Sequence, residues 1–159
     1  MTQGDKVSVV RASSKGEVEI VADLFREYQR TIGTDLCFQG FEQELASLPG
    51  EYSPPFGELF LAQVGDAIAG CVALRKLSDE VCEMKRLYVR DAFKGHRLGR
   101  LLAERAIGAG RRIGYRKMRL DTLPTMRAAI SLYESLGFAP IPAYRHNPVP
   151  GSLFFELKL

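Results

Sequence analysis

The stretch from Cys82 to Ile113 constrains the fold more than any other part of this sequence. It predicts a strand over 81–89, then a basic loop with two glycines, then a long helix that Gly114 ends. The helix is predicted to be amphipathic, because mostly apolar residues recur at helical spacing on one face: Leu98, Leu101, Leu102, Arg105, Ala106, Ala109 and Ile113. The first turn of such a helix has free backbone N–H groups at the positive end of its dipole. The stretch therefore predicts an anion site where the strand meets the helix.

The loop itself narrows the choice of anion. Gly95 and Gly99 have no side chain to keep a phosphate from the backbone, and Lys94, Arg97 and Arg100 add positive charge. The glycine spacing is GxxxG, so the dinucleotide pattern GxGxxG is absent, and no Gly-Lys-Ser/Thr follows to make a nucleotide-triphosphate loop. Taken alone, the loop is equally compatible with an ordinary helix start that carries solvated cations.

Composition bounds the remaining possibilities. The 159 residues suit one domain over 1–159, and 46% hydrophobic with 26% charged residues is typical of a soluble core. A net charge of +3 suits a small anionic ligand and argues against a nucleic-acid partner. Three cysteines without paired spacing and two histidines predict neither a disulfide framework nor a metal site. The polar residues 1–6, and the lack of an apolar run near ~20 residues, predict a cytoplasmic protein without a membrane partner.

The elements predicted along the chain alternate in a mixed order, β-α-α-β-β-β-α-β-α-β-β. Gly65 and Asp66 predict a tight antiparallel hairpin between two apolar runs. The predicted strands are 7–10, 58–64, 67–74, 81–89, 118–122, 139–144 and 153–159, and the predicted helices are 17–28, 41–48, 98–113 and 126–135. This order indicates a mixed α/β domain and excludes a doubly wound sheet.

Two segments together resemble a known family. Residues 82–90 (Cys-Glu-Met-Lys-Arg-Leu-Tyr-Val-Arg) with 93–102 (Phe-Lys-Gly-His-Arg-Leu-Gly-Arg-Leu-Leu) resemble the cofactor motif of the GNAT superfamily of N-acetyltransferases. Residues 129–138 (Ala-Ile-Ser-Leu-Tyr-Glu-Ser-Leu-Gly-Phe) resemble that family's second signature, at the thiol end of the site. The resemblance implies a central, mostly antiparallel mixed sheet of about seven strands, with strands 4 and 5 splayed apart and about four helices around it.

The resemblance also implies where acetyl-coenzyme A binds. The end of the fourth strand would pair with the pantetheine arm, and the loop and first helical turn would hold the pyrophosphate. The implied cofactor-binding residues are Leu87, Tyr88, Val89, Lys94, Gly95, His96, Arg97, Leu98, Gly99 and Arg100. Three positions depart from the family pattern. Lys94 replaces the usual Arg or Gln, Met126 replaces a frequent Asn, and Arg97 replaces a usual glycine, so its backbone is expected to avoid glycine-only angles.

The implied reaction is transfer of an acetyl group to a primary amine of a small molecule or peptide, by direct attack in a ternary complex and without a metal. Tyr133 is the candidate acid for the departing thiolate, or else a core aromatic. Glu83 is the candidate base, or else a carboxylate paired with Lys85 or an arginine, and Asp121 is a weaker candidate base. Cys82 has no evident activating partner, which argues against an acetyl-cysteine intermediate.

The acceptor side is the least determined part of the sequence. Tyr28, Phe38, Tyr144 and Asn147 are candidate acceptor-binding residues, and aromatics of this kind are also common in cores. The rival interpretation of the whole chain is a coenzyme A-binding regulatory or sensor module without transferase activity. The sequence leaves a homodimer open.

Overall fold

A computed structural model describes residues 6–33 and 40–159. The elements in that part of the chain follow the predicted order. They are β1 (Val7–Arg11), α1 (Lys15–Ile32), α2 (Phe41–Ser47), β2 (Glu58–Val64), β3 (Ala67–Lys76), β4 (Val81–Val89), α3 (Leu98–Ile113), β5 (Lys117–Thr122), α4 (Arg127–Ser135), β6 (Ala139–Pro140) and β7 (Leu153–Lys158). No helix in the described ranges is long and apolar enough to cross a membrane.

The seven strands form one sheet in the order β1-β2-β3-β4-β5-β7-β6. All neighbours are antiparallel except β4 and β5, which run parallel. Their pairing covers only the first three residues of each strand, Val81–Glu83 against Lys117–Arg119. Beyond this point the two strands separate, which is the splayed arrangement that the family resemblance implies. The mixed α/β fold expected from the sequence is therefore confirmed.

Two hydrophobic cores cover the two faces of the sheet. On one face, α3 and α4 pack over a core that includes Phe60, Val72, Met84, Leu102 and Tyr133. On the other face, α1 and α2 pack over Leu24, Phe25, Phe41, Leu59 and Leu61. Alternation along β4 therefore sends Cys82 and Met84 towards α3, and sends the polar Glu83 and Lys85 towards the face that α1 and α2 cover.

A β-bulge in β4 lies at the point where the strand leaves β5. Cys71 of β3 pairs with Tyr88 and Ala73 pairs with Lys85, so two residues of β4 stand opposite one residue of β3. The first of the two, Arg86, has a φ of 59° and turns its side chain towards α2. Gly70 of β3 permits the close approach of the strands here, because a Cβ at this position would lie 2.3 Å from the carbonyl oxygen of Tyr88.

Two predicted boundaries are wrong for identifiable reasons. Helix α1 begins two residues before the predicted Glu17, because Ser14 and Glu17 form a capping box. The strand predicted over 139–144 is only two residues long, since Pro140 and Pro142 have no N–H group to donate to a neighbouring strand. The chain leaves the sheet after the Ile141 N–H group has donated to the Phe154 carbonyl at 2.9 Å. Residues 143–152 lie outside the sheet, where Tyr144 contacts Glu83 of β4 and Asn147 contacts Asp121 of β5.

Candidate active site

A groove of about 560 Å³ runs along the end of β4, the following loop, the first turn of α3 and one side of α4. Eight of the ten predicted cofactor-binding residues line it: Leu87, Tyr88, Val89, Lys94, Gly95, Arg97, Leu98 and Gly99. His96 and Arg100 are absent from the groove lining. Sequence signals in the loop and the adjoining strand therefore converge on one concave surface.

The beginning of α3 leaves backbone donors free at this groove. The Leu101 N–H group makes the first hydrogen bond of the helix, to the Arg97 carbonyl at 3.1 Å, so the preceding N–H groups have no carbonyl within the helix to bind. No side chain within the described residues caps the helix at Arg97. A Cβ built on Gly99 would meet only the Leu132 side chain, at 3.6 Å. The turn thus offers several N–H groups and little steric obstruction to an anion.

The backbone of Arg97 accommodates the missing glycine in a particular way. Its φ of 58° and ψ of 28° lie in the left-handed region, which glycine favours and which other residues enter at a cost of about 1–2 kcal/mol. These angles are uncommon for an arginine but are not open to glycine alone, so the expectation for Arg97 is met. The backbone of the loop is nevertheless strained at this residue.

The two predicted residues outside the groove make other contacts. Arg100 donates from Nη1 to the Ser135 hydroxyl at 3.0 Å and pairs through Nε with Glu104 at 3.1 Å. The His96 ring packs against Phe93, with 6.5 Å between ring centroids. Arg100 consequently ties α3 to α4, beside the site but without lining it.

A small cavity of about 40 Å³ adjoins the groove and is lined by residues of β4 and β5, beyond the point where their pairing ends. The groove and the cavity share Tyr28, Ile32, Leu87 and Met126. Besides Tyr28, the polar residues that line the cavity are Lys85, Arg86, Asp121, Thr122, Tyr133 and Asn147. A reactive group at the end of a long ligand in the groove would meet these side chains.

Tyr133 packs in the core and also borders the small cavity, and its role as an acid stays a prediction. Its ring packs in the core, with centroids 5.8 Å from Phe138 and 6.5 Å from Phe155. Its side chain also lines the small cavity. Burial raises the pKa of Tyr133 well above the ordinary tyrosine value, so the phenol keeps its proton at any physiological pH.

Glu83 is the centre of a buried ion-pair network. Its side chain is 0% exposed, and its Oε1 atom accepts from Nε of Arg75 at 2.8 Å. Its Oε2 atom accepts from the Tyr144 hydroxyl at 2.6 Å and from Nη2 of Arg145. Burial acts to raise the pKa of Glu83, but Lys85, Arg145, Arg75 and the Tyr144 hydrogen bond outweigh it, so the pKa is lowered. This is the paired carboxylate of the second interpretation, and such a group has little basicity.

Lys85 is the functional candidate that the sequence interpretation overlooked, since it entered only as a partner for Glu83. The residue is 5% exposed, on the same face of β4 as Glu83. Burial lowers the pKa of Lys85 to about 7, with Arg86, Arg75 and Arg145 acting in the same direction and Glu83 against it. The available signal was the pattern Glu-x-Lys within an apolar strand, which places two charged side chains on one buried face.

Of the predicted acceptor-binding residues, Tyr28 and Asn147 line the small cavity and Tyr144 contacts Glu83, and their role in acceptor binding stays a prediction. The Tyr144 ring packs against Phe154 at 5.4 Å between centroids, and the Arg119 and Arg145 guanidinium groups lie over it at 5.5 and 5.1 Å. Asn147 donates from Nδ2 to the Asp121 carboxylate at 3.2 Å.

Tyr28 also lines the cavity and packs edge-on against Tyr88, and burial raises its pKa to about 12. Phe38 lies outside the described residues. In the described ranges, no group of three or more His, Cys, Asp or Glu side chains is arranged to hold a metal ion.

Splayed parallel strands, a free helix N-terminus and a connecting groove define the class of this protein. The chain belongs to the acetyltransferase (GNAT) family, whose sequence model matches residues 19–138. Structures with the same fold include an acetyltransferase from Streptococcus agalactiae, with a TM-score of 0.79, 20% identity, and coverage of 99% of this chain and 100% of that one. The yncA protein of Salmonella typhimurium, solved with its cofactor acetyl-CoA, has a TM-score of 0.65 and 19% identity, with coverage of 96% and 93%.

Proteins that are similar in sequence include several from eukaryotes. An uncharacterised N-acetyltransferase of Schizosaccharomyces pombe is 36% identical over 100% of this chain and 99% of its own length. The N-acetylaspartate synthetase of Mus musculus is 31% identical over 72% of this chain and 42% of its own length. The family resemblance expected from residues 82–138 is confirmed.

Proposed function

We propose that this protein transfers the acetyl group of acetyl-coenzyme A to a primary amine of a small molecule or peptide. The single observation that carries the proposal is that the groove and the small cavity adjoin and share four lining residues. A ligand with an anionic end and a reactive end, joined by a long arm, matches that shape. The free thiols of Cys71 and Cys82 support a reducing, cytoplasmic location.

The cofactor would bind mainly to the backbone. Its pyrophosphate would accept from the N–H groups at the start of α3, close to the positive charge of Lys94 and Arg97. Its pantetheine arm would lie along Leu87–Val89, because the β5 side of β4 has no strand partner in this part. An extended arm with amide groups can pair there as an added strand would.

The acetyl group would then lie at the inner cavity, where the amine attacks the thioester carbonyl. The C–N bond forms as the C–S bond breaks, and a β4 N–H group would stabilise the oxyanion between these events. The thiolate of coenzyme A would take its proton from the Tyr133 hydroxyl, because this residue lines the cavity.

Direct attack in a ternary complex is favoured over a cysteine intermediate. Burial raises the pKa of the Cys82 thiol to about 12, so almost none of it is thiolate at neutral pH. Glu83 has both carboxylate oxygens occupied, and we assign it to holding Tyr144 and Arg145 in place rather than to proton abstraction.

The test is release of coenzyme A thiol from acetyl-coenzyme A, followed with a thiol reagent in the presence of different amines. The panel begins with L-aspartate, because a mouse relative is an N-acetylaspartate synthetase, and continues with other amino acids, polyamines, aminoglycosides and short peptides. Amine-dependent release, with an acetylated product of the expected mass, is the predicted result.

Calorimetric titration with coenzyme A accompanies the panel. Tight binding without release for any amine would contradict the transferase proposal and favour a coenzyme A-binding module.

A further inference from the structure

Lys85 occupies a position that the proposed reaction has not used. It lies on β4 between Glu83, which contacts Tyr144 and Arg145, and the bulge residue Arg86. Its side chain is buried and lines the small cavity together with Asp121, Tyr133 and Asn147. A lysine amine at this place is close to where an acceptor nitrogen must approach the thioester.

Within the described residues, charged and titratable groups face this lysine from the surrounding elements. They are Glu83 and Arg86 of β4, Arg75 of β3, Asp121 of β5, Tyr28 of α1, Tyr133 of α4, Glu44 of α2 through Arg86, and Arg145 of the segment before β7. Each of the three arginines has a carboxylate partner, which is Glu44 for Arg86 and Glu83 for both Arg75 and Arg145. Burial and these cations lower the pKa of Lys85 to about 7.

A group that exchanges its proton near the working pH is the best suited to general base catalysis. Glu83 is poorly suited, because its Oε1 accepts from Arg75 and its Oε2 from Tyr144 and Arg145. Asp121, whose carboxylate accepts from the neutral Asn147 amide, can instead attract the acceptor ammonium into the cavity. The cavity therefore contains one carboxylate for the ammonium group and one amine to receive its proton.

We propose that Lys85 is the general base of the reaction and takes a proton from the acceptor ammonium before the nitrogen attacks the thioester. This inference rests on the proposed function.

The step is balanced. One N–H bond of the acceptor ammonium breaks, its electron pair stays on nitrogen, and the neutral amine of Lys85 becomes an ammonium. The freed pair forms the C–N bond, the C–S bond breaks, and the thiolate takes the Tyr133 proton. The surplus proton on the acetylated nitrogen returns to Tyr133, and Lys85 releases its own proton to solvent.

The first test measures the ionisation of Lys85 without any turnover. The folded protein is labelled with trace acetic anhydride between pH 5 and 11, with N-acetyl-lysine methyl ester in the same tube as reference, and the Lys85 peptide is quantified by mass spectrometry. Labelling with a midpoint near 7 is expected. A midpoint near the ordinary lysine value of about 10.4 would overturn the assignment.

The second test separates a base from an anchor for an anionic acceptor. Arginine keeps the positive charge but does not give up its proton, whereas methionine removes both properties. We expect Lys85→Arg and Lys85→Met to lower kcat about 100-fold at pH 7 alike, and to lose the wild-type rise in rate near pH 7. Their rates should instead increase with pH as the free amine does. Full activity in Lys85→Arg, with only a raised KM in Lys85→Met, would show an anchor and contradict the proposal.

Two controls complete the design. Lys117→Arg makes the same exchange on the neighbouring strand, in a surface ion pair with Glu156, and should leave rate and pH profile unchanged. Coenzyme A affinity, measured by calorimetry, establishes that each Lys85 variant is folded. The amine used in these assays is the one that is acetylated fastest in the thiol-release test.

If no amine is acetylated, both the transferase proposal and the assignment of Lys85 fail. If the enzyme is active but Lys85 labelling has the midpoint of an ordinary lysine, only the assignment of Lys85 fails.

Discussion

The two sides of the split between β4 and β5 are built on different principles. The side on which we propose that coenzyme A binds, called here the cofactor side, consists largely of backbone: the free N–H groups of α3, the edge of β4, and glycines at 95 and 99. The side on which we propose that the amine binds, called here the acceptor side, consists of side chains that reach one another from distant parts of the sequence. Tyr144 and Arg145 contact Glu83 across 61 and 62 residues, and Arg86 contacts Glu44 across 42.

This difference decides how each side tolerates change. A backbone site depends on local conformation, so a substitution harms it mainly by adding bulk or altering a φ angle. A buried ion-pair network depends on every partner, because removal of one leaves an uncompensated charge. Substitutions on the acceptor side should therefore affect folding stability most, and substitutions on the cofactor side should affect binding most.

The largest effect is expected for Glu83→Gln. The substitution leaves Arg145 without its carboxylate partner and leaves Arg75 with only the exposed Glu51, so the free energy of unfolding in urea should fall by about 3 kcal/mol. Glu51→Gln is the matched control, since Glu51 pairs with the same Arg75 but is 68% exposed, and should cost no more than about 1 kcal/mol. Equal losses in the two variants would remove the contrast between the two sides.

Glu83 also gives stability a pH dependence of known sign. Its pKa is lower in the folded state than in the unfolded chain, so its contribution is complete above about pH 4.3 and is lost as pH falls through the folded value. Urea titrations between pH 3 and 7 should show a shallower acid loss in Glu83→Gln than in the wild type. Parallel curves would indicate that other groups cause the acid loss.

Tyr133→Phe tests the point where the two sides meet. Loss of the proton donor should lower kcat about 100-fold and leave coenzyme A affinity unchanged. The control is Tyr115→Phe, which removes the hydroxyl of another buried tyrosine. This hydroxyl donates to the Phe56 carbonyl at 2.7 Å, so its loss should lower stability and leave kcat unchanged. Equal turnover in wild type and Tyr133→Phe would leave Tyr133 with its core role alone.

Gly99→Val tests whether coenzyme A binds to the backbone at the first turn of α3. The added methyl groups would occupy the groove at the first turn of α3, and we expect the Kd for coenzyme A to rise about tenfold, or about 1.4 kcal/mol. Gly108→Val introduces the same residue in the same helix, where an added Cβ would touch nothing within 4 Å. Comparable affinity in both variants would place the pyrophosphate elsewhere.

The smallest effect is expected for Arg97→Gly. Relief of the left-handed strain should raise the free energy of unfolding by about 1 kcal/mol. Arg97→Ala removes the same charge and keeps a Cβ, so it should show no such gain. The pair separates backbone conformation from charge, and a gain in both variants would assign the effect to charge.

The contrast between the sides also explains what could be predicted from the sequence. Helix α3 and the hairpin at Gly65 follow from local patterns of spacing and glycine, and both formed as expected. Eight of the ten predicted cofactor-binding residues line one groove, and their role stays a prediction. The strand predicted over 139–144, with prolines interrupting it, is only two residues long. Pairing of Glu83 with an arginine was one of two alternatives, but its partners could not be identified, because they depend on where residues 143–152 cross the sheet. The Glu-x-Lys pattern was an available signal for Lys85, but the cavity beside this residue exists only in the assembled fold.

The Glu83 network described above carries a consequence for how this protein can diversify. Arg145 and Tyr144, on the proposed acceptor side, are bound to a carboxylate that belongs to the central sheet. A lineage that explores new acceptors through residues 143–152 must retain a cation at 145 or change position 83 in concert with it. The order in which mutations at positions 83 and 145 arise would then limit which acceptor specificities can evolve. On the proposed cofactor side, backbone groups depend less on which side chains are present, so we expect that side to be conserved independently of changes in residues 143–152.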